Sequence, residues 1–115
     1  MIHVIFYKKD DGTVHMDMQG HSTSAPKGEN LICAAATTLA YTLGQSLQFL
    51  YENNRLMEKP SIQLVIGYAH ISAKPKEMYF WDVLMTFWVV QSGIFCLYRN
   101  FPKEFSLTTM DISND

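Results

Sequence analysis

His21 and Cys33 are the residues of this chain whose types and spacing could do covalent chemistry. They stand twelve positions apart, His21 preceded by Gly20, and Cys33 set between Leu31-Ile32 and Ala34-Ala35-Ala36. A thiolate is the strongest nucleophile among ordinary side chains, and a helix N-terminus favours it through unpaired N–H groups and the positive dipole end. A histidine titrates near neutrality, so it can take a thiol's proton and hand it to a leaving amine. A cysteine followed by three alanines also has the composition of a small core residue. The residues by themselves leave both readings open.

Elements on either side must position the pair. Ile2-His3-Val4-Ile5-Phe6-Tyr7 is β-branched and aromatic, Asp10-Asp11-Gly12 is a turn signal, and Val14-His15-Met16-Asp17-Met18 alternates. Residues 2–20 therefore read as a β-hairpin that ends at His21. The segment from His21 to Glu29, rich in Ser, Ala, Pro and Gly, has the composition of a substrate-covering loop or of an ordinary connector. Asn30 is a good N-cap for a helix over 31–53, which places Cys33 in its first turn. Gly44 weakens that helix or admits a close neighbour.

Ser61 to Ile66 and Tyr68 to Ala73 read as strands separated by Gly67 at a turn or bulge. A second helix is expected over 78–99, stopped by Pro102, then a last strand over 105–108 and an acidic tail. The expected fold is a single α+β domain over residues 1–115, in the order ββαββαβ, with two long helices packed on one face of a mainly antiparallel sheet. In that layout the second strand brings His21 to the sheet edge. His3, His15 and His70 are expected on the sheet surface, and Cys96 in the core.

Composition excludes several classes. The chain has 115 residues, 48% hydrophobic and 13% aromatic, which argues against disorder and for one core. Its net charge of −2, with no Lys/Arg stripe, argues against direct nucleic-acid binding. No Cys/His cluster has metal-ligand spacing, so no metal is expected. No secretory pattern opens the chain, which points to a reducing cytoplasm with Cys33 and Cys96 not joined. Leu31 to Tyr51 and Tyr79 to Tyr98 are long enough to span a bilayer, but polar residues on both and the alternating strands argue for no membrane. The aromatic and Met stripe of the second helix (Met78, Phe80, Trp81, Phe87, Trp88, Phe95) is expected to serve core and subunit interface.

Gly20-His21, a loop with Gly28, and then Leu31-Ile32-Cys33-Ala34-Ala35-Ala36-Thr37 resemble the signature of the ribosomal-processing cysteine protease family Prp. That pattern is Gly-His, a loop with a Gly, an Asp two residues later, two apolar residues, then Cys-Ala-Ala and Ser or Thr. Gly93 and Asn100-Phe101-Pro102-Lys103-Glu104-Phe105 resemble the family's closing segment, so the likeness covers essentially the whole chain. It implies Cys33 as nucleophile and His21 as acid/base, with no cofactor. It implies a homodimer whose substrate is the N-terminal extension of a large-subunit ribosomal protein. The intervening loop, with Ser22, Gly28 and Asn30, would move to admit peptide. Asn30 stands where the family has Asp. That departure supports an alternative, a non-catalytic homologue that binds a ribosomal or other peptide. Losing a carboxylate orienter can cut rates while shape survives.

Overall fold

Alternation in the first twenty residues builds the centre of the sheet. The structure, a computed structural model, describes residues 1–21 and 31–109. Strand β1 (Ile2–Lys8) buries Ile2, Val4 and Phe6, and β2 (Val14–Gly20) pairs with it antiparallel, burying Val14, Met16 and Met18. Helix α1 (Leu31–Glu52) follows, then the hairpin β3 (Ser61–Val65) and β4 (Tyr68–Ala73). A single 3-10 turn at Glu77–Tyr79 leads into α2 (Phe80–Asn100), and β5 (Phe105–Thr109) closes the order. The sheet runs β3-β4-β2-β1-β5, with every neighbouring pair antiparallel except β1 and β5, which are parallel. The expected α+β order and helix positions are what the chain adopts.

Both helices lie on one face, over the apolar positions of β1, β2 and β4. From α1 come Ile32, Ala36, Ala40, Leu43 and Leu47, and from α2 come Val83, Leu84, Phe87, Val90 and Ile94, each at helical spacing. Truncating a buried leucine such as Leu43 to alanine costs about 2–5 kcal/mol. Gly44 admits a close neighbour: a Cβ there would lie 3.3 Å from Ile62 Cγ2.

Three positions differ from the sequence reading. Strand β2 is central, so His21 leaves the end of an interior strand rather than the sheet edge. Cys96 is exposed on α2, because it lies off the stripe that Ile94, Val90, Phe87 and Val83 press into the core. His15 is buried, because Tyr7, its register partner across β1 and β2, stacks flat upon it. His3 is exposed as expected, and His70 is half-buried. The stripe on α2 divides: Phe87 is core, whereas Met78, Trp81, Trp88 and Phe95 are exposed.

Candidate active site

Two elements deliver the chemistry. Helix α1 begins at Leu31, so Cys33 occupies its first turn, half-buried and packed against the core. One helix face then carries Cys33, Ala36, Thr37, Ala40 and Tyr41 into a cleft of about 330 Å³. The small side chains of Ala36 and Ala40 leave room beside the cysteine. Leu64, Val65, Ile66, Gly67 and Tyr68 of the β3–β4 hairpin form another wall, and Ile2, Met18, Gly20 and His21 complete it. His21 and Cys33 therefore line one cleft although they come from different elements.

His21 is exposed, and hydrogen bonds hold its own carbonyl and the N–H of the residue before it. The Met1 ammonium donates to the His21 carbonyl at 2.7 Å. The Gly20 N–H donates to the Gly67 carbonyl at 3.0 Å, joining the end of β2 to the β3–β4 turn. Gly20 has φ +104°, and a Cβ there would run into the Met1 carbonyl, so only glycine fits at this exit from the strand. The wall residues of the hairpin include the exposed aliphatics Val65 and Ile66. Their place in the site was not foreseen; the turn signal at Gly67, following an apolar run, was its trace in the sequence.

No carboxylate lines the cleft among the described residues. Ser22, Gly28 and Asn30, the expected loop residues, lie outside the described residues. Asp17 and His70 do pair, but on the sheet face turned away from the helices; the cleft is lined instead by their strand neighbours Met18 and Ala69. Asp17 also accepts a hydrogen bond from the Tyr7 hydroxyl at 3.1 Å, and burial with that bond pushes the Tyr7 phenol up to about 12. His15 sits 3.4 Å, Nδ1 to Nε2, from His70. The alternation of β1, β2 and β4 put all these groups on one face, so the cluster was legible once the register was known. Among the described residues no group of three His, Cys, Asp or Glu is placed to hold a metal ion, and no disulfide joins Cys33 to Cys96.

A thiol and an imidazole at one cleft, beside a helix N-terminus, suit acyl transfer to sulfur. Solved structures share the fold. The ribosomal processing protease Prp from S. aureus, in complex with a covalently linked product peptide, matches with TM-score 0.73 and 18% identity over 96% of this chain and 100% of that one. The same protease with a substrate peptide matches with TM-score 0.64 and 17% identity over 96% and 100%. SMU.848 from Streptococcus mutans matches with TM-score 0.65 and 23% identity over 96% and 94%. No curated protein matches the chain. The family description "Cysteine protease Prp" matches residues 1–104, nearly the whole sequence. The chain therefore belongs to the cysteine protease Prp family and is a peptide hydrolase.

Proposed function

We propose that this chain removes the N-terminal extension of a large-subunit ribosomal protein, with Cys33 as nucleophile and His21 as its acid/base partner. The observation that carries the assignment is that His21 and Cys33, from different elements, line the same cleft. His21 takes the Cys33 proton, and the sulfur attacks the scissile carbonyl carbon. The carbonyl π electrons move to oxygen, and the resulting oxyanion is met by backbone N–H groups of the first turn of α1. Collapse breaks the C–N bond, and the imidazolium gives its proton to the departing amine. Water then attacks the thioester, with His21 again taking a proton, and releases the new C-terminal acid and the thiol.

The substrate class is supported by the S. aureus relative, a ribosomal processing protease with substrate and product peptides. The apolar wall of Leu64, Val65 and Ile66 suits a peptide with apolar residues beside the cut. A ribosomal substrate and two cysteines outside any disulfide fit a cytoplasmic setting. Trp81, Met85, Trp88 and Phe95 form an exposed apolar row along α2, which fits a homodimer. Residues Glu77–Asn100 are also apolar and long enough to cross a membrane, but Val83, Leu84, Phe87, Val90 and Ile94 of that span pack into the core.

The test is incubation of the chain with the host's ribosomal proteins, read by mass spectrometry of their N-termini. Loss of a short extension from one large-subunit protein is expected. Intact N-termini throughout would overturn the assignment. Asn30→Asp bears on the non-catalytic alternative: if cleavage occurs only after that change, the natural chain is a peptide binder.

A further inference from the structure

We propose that Gly67 is the positioning residue for His21, setting where the imidazole stands in the cleft it shares with Cys33 by leaving it the space a side chain would take. The proposal rests on His21 being the acid/base group. Gly67 lies in the β3–β4 turn with φ +78°. A Cβ built on it would stand 2.6 Å from His21 Nε2 and 2.9 Å from Cε1, inside van der Waals contact. The ring of His21 therefore lies against the bare Cα of Gly67. The Gly67 carbonyl also accepts from the Gly20 N–H at 3.0 Å, so the residue that backs the ring is bonded to the residue before it in the chain. His21 is exposed, and the turn supplies the surface its ring rests on.

The consequence is steric and local. Any side chain at position 67 pushes against the tip of the imidazole, and an exposed ring yields by rotating rather than by disturbing the core. Nε2, the nearest of the contacted atoms, belongs to the part of the ring that exchanges protons. Misplacing an acid/base group by about 1 Å costs roughly a hundredfold in rate.

Gly12 provides the control. It has φ +90° in the β1–β2 turn, and a Cβ there would meet nothing within 4 Å. Gly67→Ala and Gly12→Ala thus carry the same kind of backbone strain, and only the first displaces His21. Cleavage kinetics, melting temperature and the His21 ring proton shifts would be measured for both, with His21→Ala alongside. Gly67→Ala is expected to lose about a hundredfold in kcat with KM little changed. Its melting temperature should fall about as far as that of Gly12→Ala, and the His21 ring signals should move in Gly67→Ala alone. Should Gly67→Ala keep the kcat of Gly12→Ala while His21→Ala is inactive, the positioning role is overturned and the catalytic reading stands. Full activity in His21→Ala would overturn both. Should Gly67→Ala fail to fold, Gly67→Asn, whose side chain tolerates positive φ, is read the same way.

Discussion

The Tyr7 ring lies flat on the His15 imidazole, with centroids 4.7 Å apart and 4° between the planes. Thr13 Oγ lies 2.6 Å from Asp11 Oδ1 and 2.6 Å from His15 Nε2. Its one hydroxyl proton goes to Asp11, so it accepts from His15 Nε2–H. Burial, followed by the neighbouring Lys9 and His70, holds His15 below the ordinary imidazole value.

A pH dependence of stability follows from that depression. The unfolded chain takes up a proton at His15 near pH 6.5 while the folded chain resists it. The stabilisation is complete above that value and is lost as pH falls toward the folded value. Melting scans from pH 7 to pH 5 should show a decline that His15→Phe, which keeps the stacking but cannot be protonated, makes shallower. The variant should also lose about 1 kcal/mol at pH 7 with the Thr13 hydrogen bond. Equal slopes in the two proteins would count against the assignment.

The two cysteines separate activation from access. Cys96 is exposed and Cys33 only half-buried, so access alone makes Cys96 the faster to alkylate. A base beside the thiol reverses that order. Peptide mapping after brief iodoacetamide treatment should find Cys33 modified first in the wild type, and Cys96 first in His21→Ala. Preferential labelling of Cys96 in both would deny Cys33 any activation.

Trp81 and Trp88 stand one heptad apart on α2, 61% and 43% exposed, and touch edge to face with centroids 6.4 Å apart. Light scattering should give twice the 13.2 kDa chain mass at micromolar concentration. Trp88→Glu should return the single-chain mass, because a charge in a desolvated interface is costly. A wild-type mass of 13.2 kDa would contradict the dimer.

Much of this architecture was readable from local signals. The start of α1 at Leu31 falls where the apolar, helix-forming run begins in the sequence, and it fixed the place of Cys33. Alternation marked β1, β2 and β4, whose buried apolar positions are spaced by two. Register was not readable, because it depends on pairings between distant segments. The Tyr7 and His15 pairing, and with it the burial of His15, belongs to that class. Cys96 was misjudged for another reason: α2 is apolar on nearly every side, so composition hides the stripe. Counting from Ile94 at intervals of three and four would have left Cys96 outside it. The Gly67 backing of His21 joins a turn to the end of a strand far from it in sequence, and only the folded chain shows it.

The most direct measurement is cleavage of a peptide spanning the proposed ribosomal site by wild type, Cys33→Ala, His21→Ala and the double variant. Cys33→Ala should leave no detectable cleavage and an almost unchanged melting temperature, since alanine is well tolerated in a helix. Cys33→Ser should be nearly inactive, because a hydroxyl is a far weaker nucleophile. His21→Ala should lose most of the activity, and the double variant little more than either single one, as groups acting together require. Retained cleavage in Cys33→Ala, or losses that simply multiply in the double variant, would contradict the account.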